Sequence, residues 1–161
     1  MAAVDFFLKI DGIAGEATDS KHGGEIDLLT WSWGETNSGS HGTGGGSGAG
    51  KVSMQDFSFT MRVNKASPKL FLACASGQHI PSALLTCRKA GKHQQEYLKI
   101  SFTDLLLSSY QTGGSEGDVV PVDQISFNFA KIELNYAPQK ADGTLGSPVI
   151  AYYNVETNVG A

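Results

Sequence analysis

Apolar and polar residues alternate with a period of two along most of this chain. The alternation predicts strands over Val4–Ile10, Glu25–Trp33, Lys51–Val63, Ser82–Lys89, Gln95–Tyr110, Val122–Tyr136 and Pro148–Glu156, punctuated by Gly, Pro, Asn and Asp. Three of the long strands change phase by one residue near their middle. Apolar positions run 52, 54 and then 57, 59, 61; they run 98, 100, 102 and then 105, 107; and they run 125, 127, 129 and then 132, 134, 136. A one-residue slip sends the apolar set to the opposite face of a sheet, and a bulge is the usual device that inserts the residue and bends the strand. Three such slips predict a mainly β fold, a compact β-barrel or two-sheet sandwich whose strands turn a corner.

One segment breaks the β pattern. Ser67 is placed to cap a helix, Pro68 fits its first position and Gly77 ends it, so a single short helix is expected over about 68–76. Leu70, Phe71 and Cys74 would form its apolar stripe. Some strands are apolar on both sides: Phe6-Phe7-Leu8, Leu105-Leu106-Leu107 and Val149-Ile150-Ala151-Tyr152-Tyr153. Their second face needs a cover, either the helix or a neighbouring subunit.

The longest interruption follows Trp31-Ser32-Trp33. Residues 34–50 hold eight glycines among seventeen positions. Such a segment cannot hold itself on the body by apolar burial, and loops of this length are usually functional or disordered. We read it as a long extended arm that is ordered by something outside its own subunit. The whole chain, 1–161, is otherwise a single domain with enough length for a proper core.

Composition narrows the function. Charged residues make up 17% of the chain while 40% of it is apolar, which suggests that another subunit covers part of the surface. A net charge of −4 with no basic cluster argues against nucleic acid or an anionic membrane as partner. No apolar run is long enough for membrane insertion. Met1-Ala2-Ala3-Val4-Asp5 has no basic leader, so the protein is expected to be made in the cytoplasm and to leave, if it leaves, without a cleaved signal peptide. Cys74 and Cys87 have neither redox nor zinc spacing and read as small core residues.

Catalytic and cofactor signatures fail one by one. Gly45 to Lys51 matches the opening of a phosphate-binding loop, but Val52 stands where Ser or Thr should, and strand alternation follows instead of a helix. The histidines at 22, 41, 79 and 93 fall in predicted loops without metal-ligand spacing. Around Gly39-Ser40-His41-Gly42 the spacing of a nucleophile elbow is wrong. Glu25 and Asp27 share one strand face, where a solvated pair is the plainer reading than a glycosidase dyad. No enzyme activity, cofactor or metal is expected. Trp31 and Trp33 point to one side, into the core, and Ser32 with Thr30 to the other.

These residues, taken along the chain, resemble the haemolysin-coregulated protein (Hcp) family of type VI secretion systems. The likeness begins at Phe7-Leu8-Lys9-Ile10, Gly12-Ile13, Gly15-Glu16, Asp19, His22, Glu25-Ile26-Asp27 and Trp31-Ser32-Trp33-Gly34. It continues through Asp56-Phe57, Lys65-Ala66-Ser67-Pro68, Arg88-Lys89-Ala90-Gly91, Glu96-Tyr97 and Phe127 to Ile132, and runs to the C-terminal segment. Asn64 and Tyr153 depart from the expected aspartate and tryptophan but keep the turn and the aromatic. The resemblance implies a homohexameric ring with a wide pore, rings stacked into a tube inside a contractile sheath, a spike protein at the tip, and small effector proteins held in some lumens. Under this reading the arm, with Ser40, His41, Gly45, Gly46 and Gly48, reaches a neighbouring ring or subunit, while Gly91 and Glu156 mark opposite stacking faces. Ser32 would face the lumen. The alternative is a ring-shaped effector carrier or chaperone that never polymerises.

Overall fold

The computed structural model describes residues 4–39, 51–90 and 94–161. Eleven strands and one helix follow each other as β1 (Val4–Ile10), β2 (Ile26–Asp27), β3 (Thr30–Ser32), β4 (Glu35–Asn37), β5 (Val52–Met54), β6 (Phe57–Arg62), α1 (Ser67–Ser76), β7 (His79–Lys89), β8 (Glu96–Gly113), β9 (Val122–Tyr136), β10 (Val149–Asn154) and β11 (Val159–Gly160). All pairings are antiparallel.

The architecture turns on β9. One edge of β9 pairs with β8 from Val122 to Tyr136. The other edge is shared: Val122–Phe127 pairs with β6, and Lys131–Tyr136 pairs with β10. The sheet therefore branches. One limb runs β11-β10-β9-β8-β7-β1-β2 and the other runs β9-β6-β3. The ladders do not close into a barrel: nine strands form one branched sheet, and β4 with β5 makes a separate two-stranded one. The predicted strand 25–33 is the reason. Its first part (β2) pairs with β1 and its last part (β3) with β6, and only single bonds, Leu28 N to Phe6 O at 3.0 Å and Leu29 N to Thr60 O at 2.9 Å, span the gap.

The phase slips have two different causes. Between 54 and 57 the chain simply leaves one strand and starts another, since β5 pairs with β4 and β6 pairs with β3. In β8 and β9 the slip is real but no residue is inserted. Ile80, Leu105 and Phe129 lie side by side across three strands, and so do Ala83, Phe102 and Ile132, with the register unchanged between the two rows. All three strands change phase together at Pro81-Ser82, Thr103-Asp104 and Ala130-Lys131. Asp104 has φ of 57°, and Pro81 has no amide to donate, so the whole sheet bends at that level. True register shifts occur elsewhere, beside Arg88 and at Ser108.

Inside the bend lies an aromatic core. Phe57 sits 4.8 Å from Phe102 and 5.1 Å from Phe127, ring centre to ring centre, and Phe102 lies 5.1 Å from Phe129. Trp31 stacks on Phe57 at 6.1 Å, as its inward strand parity requires. Helix α1 closes this core with Leu70 and Ala73, both fully buried. Ser67 is not its cap. Ala66 holds the cap position, and the buried Ser67 hydroxyl donates instead to Asp123 Oδ2 on β9 at 2.6 Å, tying the helix start to the sheet. Gly77 ends the helix in the left-handed conformation (φ 67°), as expected. Of the expected stripe, Phe71 points outward and remains 58% exposed.

Candidate functional site

Two polar sheet faces of opposite character flank the core. The first belongs to β1, β7 and β8 and is covered by the chain between β1 and β2. That connection crosses back on itself through Gly15 N to Gly24 O at 2.8 Å and Ala17 N to Glu25 O at 2.9 Å. A Cβ at Gly15 would lie 2.5 Å from Glu25 O, so only glycine permits the crossing. The connection is clamped by charge. Arg88 on β7 is 2% exposed and grips Asp19 with both terminal nitrogens, at 3.0 and 2.7 Å, while also donating to Asp5 of β1 at 3.0 Å. Its guanidinium lies 4.8 Å from the centre of the Phe7 ring. This fork holds the Asp19 carboxyl well below the usual range.

His22 makes the second half of the clamp. It stacks on Phe7 with ring centres 4.4 Å apart. Its Nδ1 lies 2.8 Å from Glu25 and its Nε2 lies 2.6 Å from Glu96 at the start of β8. Burial pulls the His22 pKa down, but hydrogen bonds and charge from Glu96 and Glu25 outweigh it and raise the pKa above its ordinary value. Burial likewise pushes Glu96 up, and the His22 hydrogen bond and charge outweigh it, so Glu96 is held below its ordinary value. His22 lies in a loop, as expected, and serves there as a buried bridge. Two expectations are corrected here. Glu25 is engaged with it and is not a free solvated carboxylate. The second face of Phe7 is covered by the chain's own loop, neither by the helix nor by another subunit.

The second face belongs to β3, β6, β9 and the C-terminal part of β8. Register places Ser32, Ser58, Ser126 and Ser109 in one row across these four strands. Thr30, Thr60, Gln124 and Gln111 form the next row. Opposed residues of antiparallel strands share a face, and all eight are exposed or half-buried. Thr30 and Thr60 hydroxyls meet at 2.6 Å, and Ser126 contacts Ser108 at 2.8 Å and also Ser109. Neither row carries a charge. Arg62 lies beyond one end, and Asp56, which accepts a hydrogen bond from the bulged Ser108, lies near the other. Ser32 thus lies exposed on the side opposite the tryptophans, as alternation required.

Other expected positions disperse. Residues 35–37, inside the expected arm, pair with 52–54 beyond its end as the two-stranded stem β4–β5. Ser40, His41, Gly45, Gly46, Gly48 and Gly91 lie outside the described residues. Glu156 sits exposed in the turn between β10 and β11. Val52 opens a strand, which leaves the phosphate-loop lookalike without its helix. His79 begins β7, not a loop as expected, and lies 3.1 Å from Asp104. Both cysteines are free, and burial pushes the Cys87 thiol up to about 11. Among the described residues no histidine, cysteine or carboxylate group is arranged to hold a metal ion, and no helix is long and apolar enough to cross a membrane. An apolar strip, Leu134 and Tyr136 on β9 with Val149 on β10, stays exposed beyond the core, and Ile150 is exposed on the opposite face of β10.

Sequence reasoning missed Arg88, Asp19 and Glu96 as a group. A lone arginine after the apolar run Leu84-Leu85-Thr86-Cys87 was the available signal, but its partners lie 69 and 83 residues away.

Fold and faces define a β-rich subunit with exposed apolar edges and a bare neutral face, the makings of an assembling structural protein. The comparisons place it. The model of the family described as type VI secretion system effector, Hcp, matches residues 7–136. Protein hcp1 of Pseudomonas aeruginosa is 50% identical over 161 residues, covering 99% of each chain. The crystal structure of Hcp1 from Salmonella typhimurium superposes with a TM-score of 0.83 at 37% identity, over 99% of this chain and 100% of that one. A further solved type six secretion system protein reaches 0.91 at 30% identity with the same coverage. The chain belongs to the Hcp family. It is a secreted tube protein of the type VI secretion system, a structural component and not an enzyme.

Proposed function

We propose that six copies close into a ring, that rings stack head to tail into a tube, and that the Ser/Thr/Gln face lines its lumen. The uncharged double row across four strands is the observation that carries this reading. A face left to bulk solvent usually bears both signs of charge, whereas a wall that must bind, hold and release unrelated proteins is served by hydroxyl and amide groups without fixed charge. Ser32 then contributes to the wall that small effectors touch. The exposed strip of Leu134, Tyr136 and Val149 supplies apolar surface for a lateral contact between copies. The arm carried on the β4–β5 stem, with Ser40, His41, Gly45, Gly46 and Gly48, reaches the neighbouring ring or subunit and gains backbone hydrogen bonds there. Gly91 and Glu156 lie on the two unlike stacking faces that a head-to-tail filament needs. Sheath, spike and effectors are the remaining partners, and the protein stays in the bacterial cytoplasm until firing expels it.

Native mass spectrometry with negative-stain imaging tests this reading. Six-fold rings with an open centre are expected, with tubes in the Gly91→Cys/Glu156→Cys double variant under oxidation. Deleting residues 39–48 should leave rings but stop tube growth. A monomer at every accessible concentration would overturn the ring. Rings that never stack but co-purify with a small protein would favour the non-polymerising carrier.

A further inference from the structure

We infer that a recess beside the clamped loop binds an acidic segment of a protein partner. The recess, about 370 Å³, lies where the end of β1, the connection 11–25 and the first turn of α1 meet, and Lys9, Lys21 and Lys69 line it with Gly12 and Gly24. In sequence these lysines are scattered, so no basic cluster shows. The fold brings them to one rim on a chain whose net charge is −4.

What distinguishes this rim is the fate of the nearby carboxylates. Asp5 and Asp19 are consumed by Arg88. Glu25, which also lines the recess, is turned to His22, and Glu96 is shared between His22 and Lys99. Asp11 lines the adjoining hollow with Ser82 and Thr103. None of Lys9, Lys21 and Lys69 has a carboxylate partner among the described residues, and all three are exposed. Glu25 is the one carboxylate among the lining residues and its oxygen is turned to His22, while Asp11 shares the adjoining hollow with Lys9, so three ammonium groups outnumber the acid around one concavity.

The local positive charge in an acidic protein selects an anionic ligand and steers it to this point. A short peptide fits better than nucleic acid. The recess is too small to track a strand, no aromatic ring lines it to stack a base, and the net negative charge repels a long polyanion. Lysine ammoniums are point charges on flexible stems, suited to carboxylates spaced along a mobile chain and not to one rigid bidentate group. The inference does not depend on the ring and lumen reading.

The test is fluorescence anisotropy of a labelled hexaglutamate peptide against the intact protein. Binding is expected at low salt and should fade as the screening length shrinks toward about 10 Å at roughly 0.1 M salt. The Lys9→Gln/Lys21→Gln/Lys69→Gln variant should lose about tenfold or more in affinity, since three charge contacts go at once. The variant Lys51→Gln/Arg62→Gln/Lys140→Gln, which carries the same change in net charge, should stay within about twofold. Circular dichroism confirms that both variants fold. Absence of binding, or an equal loss in the second variant, overturns the proposal. A single-stranded oligonucleotide that binds as tightly with the same dependence on the three lysines overturns the assignment to a protein partner. A changed oligomeric state of the first variant without peptide would make the recess a contact between copies, and overturn it too.

Discussion

Two polar faces of one bent sheet solve the same problem in opposite ways. The face of β1, β7 and β8 is charged and covered, and every charge beneath the cover has a partner: Arg88 has Asp5 and Asp19, and His22 has Glu25 and Glu96. The face of β3, β6, β9 and distal β8 is bare and neutral, with hydroxyl and amide groups in register. Coverage demands pairing, because a lone ion out of water costs several kcal/mol. Bareness makes no such demand, and solvent would accept lysine and glutamate at these positions. The neutrality of the second face is therefore not a folding requirement, and that is why we read function into it.

The sharpest way to break this comparison is Arg88→Met. It strands Asp5 and Asp19 under the loop, and removing one partner of a buried ion pair costs about 3–5 kcal/mol. Chemical denaturation should show that loss, with the milder Asp19→Asn as a second variant if the first is not recovered. Parity with a surface substitution would mean that the loop is not held by charge.

A smaller effect is expected from His22→Gln, about 1–3 kcal/mol near neutrality, the usual cost of leaving buried hydrogen-bonding groups unpaired. Its signature is the pH profile. His22 has its pKa raised, so its contribution is complete below the ordinary value of 6.5 and is lost as pH rises through the folded value. Glu96 has its pKa lowered, so its contribution is complete above the ordinary 4.5 and is lost as pH falls through the folded value. Stability of the unaltered protein should therefore peak between these limbs, and the variant should lose the alkaline limb. A variant with an unchanged alkaline limb would remove His22 from the clamp.

The smallest effect belongs to the bare face. Ser126→Ala removes exposed hydroxyl contacts to Ser108 and Ser109 and should change unfolding free energy by less than about 1 kcal/mol. Ser126→Lys should be equally mild in folding while reducing the recovery of co-purified effector. A large loss of stability in Ser126→Ala would show that the neutral rows are structural after all.

Much of this was legible in the residues themselves. Alternation placed β1 and β9 at their true limits, Gly77 ended the helix, and parity sent Trp31 inward and Ser32 outward. These are local properties, fixed by a period of two or by a single backbone conformation. The errors share another origin. Serine before proline makes Ser67 look like a cap, but its hydroxyl is drawn 56 residues away to Asp123. Pro81 falls outside the alternating run that begins at Ser82, although it marks the bend that three strands make together.

By itself, the sequence determined the family, the β-rich class, the helix and the inward sense of Trp31 against the outward sense of Ser32. Those depend on neighbours a few positions apart, or on a whole-chain pattern. Only the tertiary structure decided which charges pair, which face is covered, and that Lys9, Lys21 and Lys69 share a rim. The pairs Arg88–Asp19, His22–Glu96 and Arg88–Asp5 lie 69, 74 and 83 positions apart, and their proximity is set by sheet register and by no local preference.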